Sequence, residues 1–201
     1  PTGGSETEED SENSTSQGTA TEETKIDWNV ITEQIQTIIT KFFAMMSAGV
    51  GNVELADGGY SLDIDARGEA KVPVSVLQQV KDKNVTLALQ TGYGVALSIS
   101  GGDLNGKDLV SMKEIDLTAK CNLSAIPKNL VETKAMQSFC TRQVWVKDTG
   151  VFQVPVAMHV HVGKENAGRM AYLYRYDAIT GKLVLSGCFL VTKEGQAMFA
   201  L

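Results

Sequence analysis

Between Val72 and Ile99 the chain alternates in a way that reads as a short helix followed by a hairpin with one buried face. Pro73 sets the chain direction, Ser75 is placed to cap the helix, and Val76, Leu77 and Val80 fall on one apolar side of it. Val85, Leu87 and Leu89 then alternate with polar or small residues, Thr91-Gly92-Tyr93-Gly94 carries turn chemistry, and Val95, Leu97 and Ile99 resume the period of two. An echo follows. Ile126 to Val131 repeats the apolar-Pro-x-x-apolar-apolar order of Val72 to Leu77, and Val144 to Met158 repeats strand, Thr149-Gly150 turn and strand. Two readings stay open here: a duplicated helix-hairpin unit, with halves 26–106 and 107–201, or a chance recurrence of prolines and glycine turns.

Upstream, Trp28, Ile31, Ile35, Ile38, Ile39, Phe42, Met45 and Met46 recur at three- and four-residue steps, predicting an amphipathic helix over 27–47. Asp27 is placed as its N-cap, and Gly49 and Gly51 as its stop. Its polar side (Glu33, Gln34, Gln36, Thr37, Lys41) lacks the basic bias of a membrane-surface helix, so a sheet is its expected partner. Tyr60, Leu62 and Ile64 alternate with Ser61, Asp63 and Asp65 in a half-exposed strand, Ile115 and Leu117 mark another, and a short helix is expected over Pro127 to Glu132.

Downstream the even-numbered residues from Phe152 to Val162 are apolar, predicting one long strand with Gln153, Pro155, Ala157, His159 and His161 on its outer side. Pro155 favours an edge or bulge there. After a turn at 163–168, Tyr172, Tyr174 and Tyr176 alternate with Leu173 and Arg175; Leu183 to Val191 returns and Ala197 to Leu201 starts a last strand. Periodicity leaves both registers of the tyrosine row open, inward or outward. The fold class expected from this pattern is α+β: the N-terminal helix packed on mainly antiparallel sheets, with a sandwich as one arrangement, and two short Pro-initiated helices.

Charge changes the picture at one end. Residues 1–25 hold seven acids and one base and nothing aliphatic or aromatic larger than Ala20, the composition of a disordered acidic tether in front of a single domain over 26–201. Of the chain's 24 acids and 18 bases the remainder therefore balances, so the one-signed field that nucleic acids or acidic substrate traps require is missing. No apolar run reaches the roughly 20 residues of a membrane span. A polar leader of this kind fits a secreted or lipid-anchored protein, and equally an acidic cytosolic linker.

Candidate chemistry is sparse. Elbow, zinc-helix, P-loop and dinucleotide motifs are all missing from the sequence, so no catalytic residue is assigned and no cofactor is expected. His159 and His161 share a strand side without a third ligand in sequence, which favours solvent-facing histidines over a metal site. Asp103-x-Asn105-Gly106-x-Asp108 departs from a calcium loop in its early glycine and missing closing Glu. Cys121, Cys140 and Cys188 suit apolar packing, with a Cys121–Cys140 disulfide as the alternative in an oxidising compartment; Cys140, beside Thr141 and Arg142, has the most polar surroundings. Asp63 and Asp65, two carboxylates on one strand face, exemplify a pair that a carboxylate-based glycoside hydrolase could use. The histidines and tyrosines together (His159, His161, Tyr172, Tyr174, Tyr176) form the candidate ligand-contact surface, because a tyrosine joins an apolar ring to a polar tip.

Beyond these patterns, Trp28, VPVSVLQQVKDKNVTLAL (Val72 to Leu89), GVALSISGGDL (Gly94 to Leu104), IPKNLV (Ile126 to Val131) and GKENAGRMAYLYRYDAITGKL (Gly163 to Leu183) are similar to a module of large secreted and cell-wall-attached proteins of clostridial Gram-positive bacteria. The resemblance covers nearly everything after the tether. It implies an extracellular, surface-attached, noncatalytic module for ligand binding, adhesion or spacing, with carbohydrate or a host or cell-wall protein as partner and lipid or cell-wall anchoring. Family members commonly close with a further strand carrying Ala-Ser-Asp-Tyr-like residues, so the resemblance implies that the strand ending the given sequence at Leu201 is incomplete or replaced.

Overall fold

The computed structural model describes residues 25–47, 59–121, 126–136, 138, 140–147 and 152–201. The chain is mixed α+β, with three helices and mostly antiparallel strands among these residues. Residues 1–24 of the 1–25 tether, the stop at Gly49 and Gly51 and the Thr149-Gly150 turn lie outside them, as do the side chains of Phe42, Met45 and Met46.

Helix α1 spans Trp28–Ser47. Asp27 caps it as expected, its carboxylate accepting from the backbone N–H of Asn29 at 3.0 Å and of Val30 at 3.4 Å. Ile31 and Ile35, one turn apart, are buried. Strand β1 (Tyr60–Asp65) follows, then β2 (Lys71–Pro73), helix α2 (Val74–Val80), β3 (Val85–Gly92) and β4 (Val95–Ser100).

The apolar side of α2 is Val74, Val76, Leu77 and Val80, all buried. Ser75 does not cap it. Pro73 occupies that position with extended backbone and no side-chain cap, and the Val74 N–H donates instead to the Lys113 carbonyl at 3.0 Å. Pairing of β2 with β5 (Glu114–Asp116) precedes a helix that starts two residues earlier than the capping pattern suggests.

β3 and β4 form the expected hairpin, with Leu89 opposite Leu97 and Leu87 opposite Ile99. Its turn needs left-handed backbone at Gly92, Tyr93 and Gly94, and the Thr91 hydroxyl closes it by donating to the Val95 carbonyl at 2.9 Å. A register shift between Gln90 and Gly92 accommodates the extra residue.

The second echo unit is built differently. β7 (Val144–Val146) pairs with β6 (Ala119–Cys121), whereas β8 (Ala157–His161) joins β4, so the two strands flanking 149–150 belong to different sheets. β8 is also shorter than the even-numbered pattern from 152 to 162 implies, although Val154, Val156, Met158 and Val160 are all buried as that pattern requires. Pro155 has no N–H to give a ladder, and regular pairing begins only after it. Helix α3 spans Lys128–Ala135 and buries no residue fully.

The central sheet has five strands in the order β1-β3-β4-β8-β11, where β11 is Gln196–Ala200. Only β1 runs parallel to its neighbour β3, because the connection through β2 and α2 is a crossover rather than a hairpin. β9 (Met170–Asp177) and β10 (Lys182–Leu190) make a separate antiparallel pair inserted between β8 and β11. Ala171, Leu173 and Phe189 of that pair pack against the main core, with Phe189 edge-on to Phe199 of β11 at 5.0 Å between ring centres.

One face of the central sheet carries Ile64, Val85, Leu87, Leu89, Val95, Leu97, Ile99, Met158, Val160, Ala197 and Phe199, all in the core together with Ile35 and the α2 side chains. Close packing extends to the backbone. A methyl group on Gly101 would lie 1.9 Å from the Val80 carbonyl oxygen, so this position admits only glycine.

Candidate functional site

Every second residue of the same strands points the other way, and there the side chains are polar or small. Row by row, Asp63 of β1 stands beside Ala88, Ser98 and Ala157, while Gln90 stands beside Ala96, His159 and Met198. In the second row Gln90 and His159 straddle Ala96, two strand spacings apart, or about 9.5 Å between backbones. The small side chains between taller neighbours leave a hollow of about 320 Å³, lined by Asp63, Ala88, Gln90, Ala96, Ser98 and His159 and continued by Ser61, Thr86, Gly94, His161 and Gln196.

Two hydrogen bonds set its walls. Gln90 Nε2 donates to Asp63 Oδ1 at 3.0 Å, which fixes the amide while leaving its carbonyl able to accept and its second N–H able to donate. Across the hollow, Ser98 Oγ and His159 Nε2 are 2.8 Å apart. Half-burial of His159 disfavours the charged ring and holds its pKa below the ordinary value near 6.5. Among the described residues no lysine or arginine lines the hollow.

His159 and His161 are therefore brought together, on the outward side of β8 as expected. The tyrosines are not brought to them. Leu173 and Ala171 take the inward register on β9, so Tyr172, Tyr174 and Tyr176 face away from the core on the β9–β10 pair. Tyr172 is 56 % exposed, and Lys134 of α3 sits over the Tyr174 ring at 4.6 Å from its centre. Around Tyr172 the same surface presents Met170, Leu185, Cys188 and Leu190, all exposed. The candidate contact residues thus occupy two separate surfaces, one polar and hollow, one apolar and aromatic.

Asp65 is not paired with Asp63 for chemistry: its carboxylate binds Arg67, whose Nε donates at 2.9 Å, and that bond holds its pKa below the usual carboxylate range. Among the described residues no cluster of three or more His, Cys, Asp or Glu side chains can hold a metal ion. All three cysteines are free thiols; Cys121 and Cys140 are half-buried, and Cys188 is exposed on β10, against the expectation of apolar packing. Burial raises the Cys121 thiol, which lies 3.7 Å from the Thr91 hydroxyl. No described helix is long and apolar enough to cross a membrane.

Pattern reading missed Gln90, Ser98 and the floor of the hollow. The signal was present: the positions alternating with the core of β3 and β4 are Thr86, Ala88, Gln90, Ala96 and Ser98, uncharged and mostly small, where a plain solvated face favours long charged residues. Comparison with known proteins adds nothing to this geometry, since no family model, curated protein or solved structure matches the chain.

Proposed function

We propose that this chain is a noncatalytic module of a larger extracellular, cell-surface protein, serving ligand binding, adhesion or the spacing of neighbouring domains. The observation that carries the reading is the division of the central sheet: one face sealed in the core, the other open, polar and hollowed. A rigid sheet with a preformed depression is a scaffold that presents side chains at small entropic cost to binding. The resemblance to clostridial surface modules supports the location and the lack of catalysis. Packing of α1 on the sheet as a covering layer belongs to the same proposal, supported by the burial of Ile31 and Ile35 in the common core.

The runner-up, a glycoside hydrolase using Asp63 and Asp65, is disfavoured because both carboxylates are engaged, Asp63 by the Gln90 amide and Asp65 by the Arg67 guanidinium, and both residues are exposed, whereas a general acid needs a desolvated carboxyl. The test is retention of the purified chain on glycan and mucin arrays and on Gram-positive cell walls, run beside an assay for release of reducing sugar. Retention without turnover is expected. Polysaccharide hydrolysis lost in Asp63→Asn would overturn the noncatalytic reading.

A further inference from the structure

We infer that the hollow on the open sheet face is a subsite for one neutral pyranose ring, lying flat on Ala88 and Ala96 with its hydroxyl rim between Asp63–Gln90 and Ser98–His159. This rests on the ligand-binding reading above and assigns it a place and a ligand class. A pyranose has a C–H face that gains from leaving water and a rim of hydroxyls that must each keep hydrogen-bond partners. The hollow offers the matching arrangement. Its floor is two methyl groups, each side chain belonging to a residue only 8 % exposed. One wall couples a carboxylate to an amide through the 3.0 Å Gln90–Asp63 bond, a pair able to accept from one hydroxyl and donate to the next. The other wall couples a hydroxyl to an imidazole at 2.8 Å, again a donor and an acceptor side by side.

Size and charge narrow the class. A volume of about 320 Å³ lies at the small end of ligand pockets, enough for a single ring with its solvent rather than for an oligosaccharide. Phosphorylated or sulfated sugars would meet Asp63 with no lysine or arginine among the lining residues to balance their charge. Peptides are disfavoured because the floor lies inside a sheet whose strands there are paired on both sides, so no backbone edge is offered. With no phenylalanine, tyrosine or tryptophan in the lining to stack on, affinity should be weak, on the order of millimolar.

The direct test is a titration of the isotope-labelled full chain with methyl glucoside, methyl galactoside and methyl mannoside, each to about 50 mM, enough to saturate a millimolar site. The expected result is saturable shifts confined to Ala88, Ala96, Ser98, His159 and Gln90, for at least one of the three sugars. Ala96→Leu, which fills the hollow from the solvent side, should abolish the shifts. Gln90→Ala, which removes a wall without filling anything, should weaken them at least fivefold, and both variants should melt like the parent. Shifts equally large with glycerol at the same concentration would overturn the inference by showing indifference to the ring. So would an absence of shifts with all three sugars. Saturable binding that survives Ala96→Leu but is lost in Tyr172→Ala would also overturn it while leaving the binding-module reading intact; loss of retention on every array and cell wall would instead remove that reading itself.

Discussion

The β3–β4 and β9–β10 hairpins carry almost the same sequence signature, alternating apolar residues around a turn containing glycine, yet they are used in opposite ways. In β3–β4 the apolar residues are sealed: Leu87, Leu89, Leu97 and Ile99 have no exposed surface, and the alternate positions are small and polar. In β9–β10 the inward residues are only partly covered, while Tyr172, Leu185 and Leu190 on the other side are more than half exposed. Alternation records that a strand has two unlike faces. Which face is covered depends on whether a second layer exists to cover it, and that is a property of the rest of the chain.

The sharpest way to break this contrast is to cut the same group from each hairpin. Leu97→Ala should cost about 2–5 kcal/mol, because the residue is fully buried and the cavity left behind cannot collapse freely. Leu185→Ala should change stability by no more than about 0.5 kcal/mol. Chemical denaturation of both variants measures the difference, and equal costs would show that the β9–β10 pair is also sealed. Within β9 the same logic applies on a smaller scale. Leu173→Ala, half-buried against the core, should cost roughly 1–2 kcal/mol, and Tyr172→Ala should be near neutral. A reversal of that order would mean the tyrosines face inward.

The smallest expected effect concerns pH. Burial lowers the His159 pKa in the folded state, so the unfolded chain takes up the proton first. The contribution of His159 is therefore fully present above its ordinary value near 6.5 and is lost as pH falls from there to the lower folded-state value. Thermal melts of the parent should decline more steeply below that pH than those of His159→Gln, with Asp63 and His161 as the other titratable groups facing the same hollow. Parallel pH profiles would place His159 in water.

How much of this could be read from the sequence depended on whether one element sufficed to decide it. The β3–β4 hairpin, the buried even-numbered residues from Val154 to Val160 and the Asp27 cap needed only local pattern and were legible. Pairings made across the chain were not. Nothing in Val144 to Met158 says that β7 will choose β6 and β8 will choose β4, and a turn-like dipeptide between two strands invites the wrong hairpin. The hollow was half legible for the same reason. His159 and the outward side of β8 could be placed from the period of two, but Ser98 and Gln90 reach the site only through register across three strands, β3, β4 and β8.

One sheet has a sealed face and an open one, and two methionines sit on either side of it. Met198 of β11 is 55 % exposed beside His159, and Met158 of β8 is 4 % exposed opposite Phe199. With the methionine methyls labelled, addition of a soluble paramagnetic agent should broaden the Met198 signal strongly, together with those of Met136 and Met170, and leave Met158 sharp. A Met198 signal as protected as that of Met158 would show that the polar face is covered as well.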